Sequence, residues 1–427
     1  MGAQTNTQRS FSKLSKSLPT LKHLFDHDPF TNKPFGLTNI VLQDEILSII
    51  SFCSSMALPT TSHELKRFKL THLFTVIKTS KKPLHRDVLS SVMSLISINL
   101  FRPLPPPSPA FPITSSTLAE ENEVVVCSTI PSLNWLQLEV VYDILLWLVI
   151  NIDTQTLEKH IDKTFLLGLL SLFDSDESKE RESLKNVFHQ MYYKFTKYRS
   201  FMRKAMSGVF LEYIFETERH NGIAEMLEIW GSIINGFAVP LKEEHKVFLK
   251  RILIPLHKVK GMQSFNKQLS YCVYQFVEKE SELGGFIVRK IMKYWPQANS
   301  QKEIKLIEEL EDLVEKLDPK LYRDLALPFC SHMTKCFKSL NSMVAERALY
   351  IWNSEAFVTM VYSAMEEVFP VIIRGMENII TSHWNENIKE LAHNVKAILQ
   401  EMNPILYHKT LHQNRFKYFE ATQIHRL

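Results

Sequence analysis

The sequence predicts an all-α protein built as a right-handed solenoid. Three observations predict it. Apolar residues recur with a helical period over most of the chain after Asn134, helix–turn–helix segments return about every 40 residues, and glycine is scarce, at 11 in 427. That spacing is the period of HEAT-like helix pairs, none of which can bury its own apolar face without a neighbour. Roughly eight such repeats fit the chain, the earliest ones irregular. So few glycines argue against a turn-dense β fold and against Gly-rich nucleotide loops.

In chain order, residues 1–35 mix basic residues with Ser, Thr and Pro, which predicts a mobile basic arm. Helical patterns follow at 42–57, 63–78 and 84–101. The stretch "FRPLPPPSPAFPITSSTLAEENEVVVCSTIPSL" then predicts a long surface loop at about 102–133, because its prolines forbid helix and the rest has no period. Helix pairs begin at Phe165, near Gly208, and at Phe248, Phe286, Leu325 and Val368. Within Ile223–Phe237, apolar residues fall at 223, 226, 227, 229, 230, 233, 234 and 237, a helical stripe. Asn235-Gly236 predicts a stop in left-handed backbone, and Pro240 keeps the helix from continuing. The solenoid is expected over 36–405, with a variable tail at 406–427.

Composition excludes several function classes. Hydrophobic residues make up 45% and charged residues 22%, enough to form a core. A net charge of +4 on 427 residues is too small for a general nucleic-acid binder, so no nucleic-acid partner is expected. Cys53, Cys127, Cys272, Cys330 and Cys336 are odd in number and mostly far apart, which reads as reduced thiols of an intracellular protein. The longest apolar run, Ile144–Ile152, is about half of the ~20 residues a membrane span needs. The N-terminus lacks the apolar core of a secretory signal. Met1 and Gly2 open like a myristoylation signal, but Asn6 stands where Ser or Thr is wanted.

The search for chemistry finds no P-loop, dinucleotide fingerprint, G-x-S-x-G or H-E-x-x-H, so no catalytic residue, metal site or cofactor is expected. Cys330, His332 and Cys336 sit in a helical stripe without a visible fourth ligand, and buried thiols are the simpler reading. The run "IEELEDLVEKLD" at 307–318 keeps its apolar residues on one stripe. Its acids are expected on the solvated faces, with an acidic docking face as the alternative. In "HQMYYKFTKYRSFMRK", His189, Tyr192 and Arg199 have the spacing of one helix face, while Lys194, Lys197 and Arg203 are expected to point elsewhere. Such a face suits a small anion-and-apolar site, or else an ordinary repeat helix with a paired Arg. In "HNGIAEMLEIWGSIINGFAVPLKEEHK", Lys242, Glu243, Glu244, His245 and Lys246 cluster at a second helix start.

These stretches carry a resemblance. "LFDSDESKERESLKNVFHQMYYKFTKYRSFMRK", "FETERHNGIAEMLEIWGSIINGFAVPLKEEHKVFL", "PLHKVK", "QLSYCVYQFVEK", "KYWPQANSQKEI" and "VAERALYIWN" resemble the B-prime family of regulatory subunits of protein phosphatase 2A. "NLFRPLPP" and "WLQLEVVYDILLWL" fit the same pattern, and "LPTLKHLFD" hints at a plant-type member. The resemblance covers about residues 60–405. It implies a non-catalytic subunit that joins a scaffold and a catalytic subunit in a heterotrimeric Ser/Thr phosphatase. It also implies substrate selection through a groove for extended L-x-x-I-x-E peptides. The matching positions are His189, Gln190, Tyr192, Arg199, Ile229, Ile233, Lys242 and His245.

The residue types agree with that implied role. Ile229 and Ile233 are one helical turn apart and can floor an apolar pocket. Arg199 can pair with the peptide's Glu, and Lys242 and His245 can hold the same acidic end or a phosphate. Gln190 departs from the family pattern, which has Arg there, so weaker binding or less preference for phosphorylated motifs is expected. A stand-alone helical scaffold that no longer assembles with the phosphatase is the alternative. Cytoplasm and nucleus are the expected compartments.

Overall fold

A computed structural model describes residues 39–54, 63–80, 84–104, 133–296 and 298–424. The expected arm at 1–35, most of the loop at 102–133, Gly2 and Cys127 lie outside the described residues. Helices α1 (Asn39–Cys53), α2 (His63–Thr79), α3 (Arg86–Leu100) and α4 (Leu133–Asn151) come first. The first ends at Cys53 rather than at residue 57. Next come α5 (Lys163–Ser171), α6 (Ser178–Lys194), α7 (Arg199–Glu212), α8 (Ile223–Asn235) and α9 (Glu243–Phe248). The last of these runs on through a wider turn at Leu249–Leu253 to Leu256. Then follow α10 (Asn266–Lys279), α11 (Glu282–Lys293), α12 (Ser300–Lys316), α13 (Tyr322–Phe337) and α14 (Ser342–Leu349). The chain closes with α15 (Glu355–Ser363), α16 (Met365–Ser382), α17 (Glu386–Met402) and α18 (Pro404–Ile424).

The helices stack in two rows, which makes the molecule an all-α solenoid. In one row α2, α4, α6, α8, α10, α12, α14 and α17 each touch the next. In the other, α5, α7, the α9 extension, α11, α13, α16 and α18 do the same. The apolar stripes meet between the rows, where Phe173, Phe188, Phe210, Phe276, Phe329, Phe357 and Phe369 are buried in one continuous core. Burying a side chain of this kind stabilises the fold by about 1.5–3 kcal/mol each.

The repeat period is written in the hydrogen bonds between neighbouring repeats. Lys194 reaches Val149 O, Lys279 reaches Asn235 O, Lys302 reaches Lys258 O and Trp384 reaches Leu340 O, with partners 44 or 45 residues apart. Lysine in these places satisfies carbonyls that a helix end leaves without partners. This explains a difference from the sequence reading. Gly236 follows the end of α8 with φ −79°, not in left-handed backbone. Its N–H bonds to Ser232 O and Ile233 O, and the carbonyls of Asn235 and Phe237 accept from Lys279 at 2.9 Å each. A cation from the next repeat thus does what a local glycine turn does elsewhere.

The start of the proline loop is fixed rather than free. Arg102 Nη2 donates to Glu180 Oε2 at 2.6 Å, and Tyr142 Oη and Ser175 Oγ donate to the same carboxylate at 3.0 and 2.6 Å. Phe101 packs against Gly168, where an added Cβ would lie 2.7 Å from the ring.

Two further expectations change. The boundary at 405 falls inside α18, which packs on α16 and buries Tyr407 and Thr410, so ordered packing continues past it. Among the acids of 307–318, Glu309 is not solvated: it is buried, with Oε1 3.0 Å from His257 Nε2. His332 packs edge-on to Trp295, and burial lowers its pKa to about 4. Burial pushes the Cys336 thiol up to about 12 and the Cys330 thiol higher still. Among the described residues no single helix is long and apolar enough to cross a membrane.

Candidate functional site

Helix α6 carries His189, Gln190 and Tyr192, all half-buried. It does not continue to Arg199. Phe195 leaves helical backbone with ψ 78° and is wholly buried, and a single turn at Thr196–Tyr198 leads into α7, which Arg199 begins. The one-face spacing of His189, Tyr192 and Arg199 therefore does not apply, because the chain reverses between them. Arg199 meets Tyr192 by folding back. Its Nε donates to Tyr192 O at 2.9 Å, its Nη2 donates to Tyr193 O at 2.8 Å, and its guanidinium lies 5.4 Å from the Tyr192 ring centre. Arg199 thus caps the C-terminal end of α6, where a cation suits the helix dipole.

Sequence reasoning missed Arg203. Expected to point elsewhere, it donates from Nη1 to Tyr192 Oη at 3.0 Å. Its Nη2 lies 3.7 Å from Glu244 Oε1 on α9. The other two cations do turn away: Lys194 satisfies carbonyls at the end of α4, and Lys197 pairs with Glu158. The usable signal for Arg203 was its position one helical turn after Arg199, once α7 is known to begin at Arg199.

Helix α9 supplies the facing side. Lys242 stands exposed at its N-cap, with Glu243 and Glu244 in the first turn, where acids suit the positive helix end. His245 is buried and its ring stacks flat on Phe237 at 3.6 Å. Burial lowers its pKa, Glu244 opposes this, and Arg203 and Lys242 reinforce it. His245 is therefore neutral near pH 7 and offers a hydrogen bond rather than a charge. Its Nδ1 has no hydrogen-bond partner. His189 is likewise held below its usual pKa, first by burial and then by Lys185.

Ile229 and Ile233 lie on α8 with 1% and 6% exposure, so side chains of the fold already cover them. The nearby cavity, about 280 Å³, opens instead between α7 and α9. Arg203, Lys204, Ser207 and His245 line it, above Trp230 and Phe248 stacked 3.7 Å apart. Trp230 Nε1 is buried without a partner. The structure thus brings Tyr192, Arg199, Arg203, Glu244 and His245 into one chain of contacts. An arrangement of fixed cations, a phenol and buried N–H donors can hold an anionic group beside an apolar one.

The family model described as "Protein phosphatase 2A regulatory B subunit (B56 family)" matches residues 44–424. The B' beta isoform of the 57 kDa regulatory subunit of serine/threonine protein phosphatase 2A from Arabidopsis thaliana is 39% identical over 363 residues, 84% of this chain and 72% of that protein. The B' kappa isoform of Oryza sativa subsp. japonica is 37% identical over 346 residues, 81% of this chain and 67% of that one. The Arabidopsis B' delta isoform is 44% identical over 282 residues, 66% of this chain and 59% of its own length.

Proposed function

Because the chain belongs to the B56 family of protein phosphatase 2A regulatory B subunits, a non-catalytic family that associates with the phosphatase core, we propose that it selects substrates through the face built by α6 to α9. It does so within a heterotrimer with the scaffold and catalytic subunits, in cytoplasm and nucleus. The ligand is an extended peptide of the L-x-x-I-x-E type. Its apolar residues sit against His189, Tyr192, Ile229 and Ile233. Its Glu meets Arg203, Lys242 and the His245 ring. The single observation that carries this reading is Tyr192, held by Arg199 at its backbone and ring and by Arg203 at its hydroxyl. A phenol fixed in this way is preorganised for a ligand. Because Ile229 and Ile233 are covered in the free chain, binding involves side-chain movement on α8.

The test is assembly with purified scaffold and catalytic subunits, followed by dephosphorylation of a substrate carrying the motif. Assembly with motif-dependent activity is expected. Lys242→Ala, at an exposed position, should weaken peptide binding several-fold without moving the unfolding midpoint. Gln190 puts an amide where the family pattern has Arg, so phosphorylating the peptide should help little until Gln190→Arg restores a charge. Motif-independent activity would move substrate choice to another surface.

A further inference from the structure

Helix α11 and the residue that ends it place Phe286, Lys290 and Tyr294 about one turn apart on one face. The α9 extension and the segment after it run alongside. Lys250 Nζ lies 5.9 Å and Lys290 Nζ 5.5 Å from the centre of the Phe286 ring, and Lys258 Nζ lies 5.1 Å from that of Tyr294. Cations and rings therefore alternate in a strip, Lys250–Phe286–Lys290–Tyr294–Lys258. Among the described residues none of these three lysines has a carboxylate within ion-pairing distance. Two acids of the adjoining segments are otherwise engaged. Glu280 pairs with Lys246 at 2.7 Å and accepts from Leu241 N–H, and Glu303 accepts from the Trp295 indole. Glu282 flanks the strip one turn before Phe286. At the other end the buried Lys302 ammonium donates to the carbonyls of Lys258 and Val259, and the Glu218 carboxylate partly offsets its charge.

We propose that this strip binds an extended acidic segment of a partner protein. The ring faces hold the ammonium groups in place, so less side-chain freedom is lost when an anion arrives. The same ammonium groups cover the rings, which leaves nucleic-acid bases no face to stack on. Helix α11 exposes no large apolar side chain that would enter a lipid surface. From Phe286 to Tyr294 the strip is about 12 Å long at ~1.5 Å per residue, the span of about four residues of extended chain. The inference does not depend on the α6–α9 face, and its ligand lacks the L-x-x-I-x-E motif.

The experiment is fluorescence anisotropy of a labelled octapeptide of alternating Glu and Gly, titrated with the full chain. Saturable binding is expected. Lys250→Gln, Lys258→Gln and Lys290→Gln combined should weaken it about tenfold, as should a rise from about 50 to 500 mM salt. Phe286→Leu keeps every charge and should still weaken binding several-fold, because the ring that fixes two ammonium groups is gone. Lys335→Gln with Lys338→Gln, exposed on another repeat, should change nothing. An unchanged unfolding midpoint checks the triple variant, and Lys290→Gln alone serves if that midpoint falls. Absence of saturable binding overturns the proposal, as does equal binding by the triple variant. So does an oligothymidylate or a phosphatidylserine vesicle that binds tighter than the peptide and depends on the same lysines.

Discussion

Arg199 closes over the end of the helix that carries Tyr192, with Nε 2.9 Å from the Tyr192 carbonyl oxygen and the guanidinium 5.4 Å from the ring centre. The same side chain therefore supports the fold and positions the candidate site. Loss of peptide binding in an Arg199 variant would not by itself locate a ligand, because Tyr192 would be released at the same time.

The first prediction follows from this double role. Arg199→Lys retains the charge but cannot reproduce two directed hydrogen bonds and a flat stack. Both Arg199→Lys and Arg199→Ala should lose about 1–2 kcal/mol of stability in urea unfolding. If Arg199→Lys were as stable as the wild type, the cap would not matter and Arg199 would be free for a ligand.

Glu180 is the anchor of the proline loop. Its side chain is 1% exposed and accepts from Arg102, Tyr142 and Ser175. Glu180→Ala leaves a half-buried guanidinium and two buried hydroxyls without their acceptor, and should cost about 3–5 kcal/mol. Denaturant unfolding measures it, and a loss below about 1 kcal/mol would mean that water replaces the carboxylate.

His257 and Glu309 give a pH dependence. Burial alone would lower the His257 pKa, but the Glu309 charge and hydrogen bond outweigh it and the pKa is raised. A histidine raised in the folded state adds stability that is complete below its unfolded value, near 6.5, and is lost as pH rises through the folded value. The stability advantage of the wild type over Glu309→Gln should therefore shrink as pH rises from about 6 towards 9. Urea melts across that range check it, and a constant difference would exclude a charged pair.

Two glycines should respond in opposite directions to alanine. At Gly222 a Cβ would lie 2.4 Å from the Phe173 carbonyl oxygen, which is backbone and cannot turn aside. Gly222→Ala should cost about 1–3 kcal/mol. Gly208 sits inside α7 with nothing within 4 Å of an added Cβ. Gly208→Ala should stabilise by about 0.5–1 kcal/mol, because the unfolded chain loses freedom it no longer has to give up. Thermal melts of the two variants, run side by side, provide the comparison.

The sequence by itself determined the solenoid. Helical stripes and a recurring interval are local properties, and an apolar stripe that its own pair cannot bury requires a neighbour. It also brought the site residues to notice, through a resemblance that rests on long stretches such as 172–204 and 215–249. The tertiary structure decided how those residues meet. "YKFTKYR" has no glycine or proline, so nothing local marks the break at Phe195; the ring's burial in the core turns the chain there. That turn sends Arg199 back onto Tyr192 and brings in Arg203. The acids of α12 read as solvated by period alone, yet Glu309 is buried because His257 from the preceding repeat meets it. Asn235-Gly236 read as a left-handed stop, yet Lys279 from the next repeat satisfies the carbonyls of Asn235 and Phe237 there. In each case the deciding partner lies 42 to 52 residues away, or across an unmarked turn. Periodicity reports which face a side chain shares with its own helix; it carries no information about which polar group the adjoining repeat sets opposite.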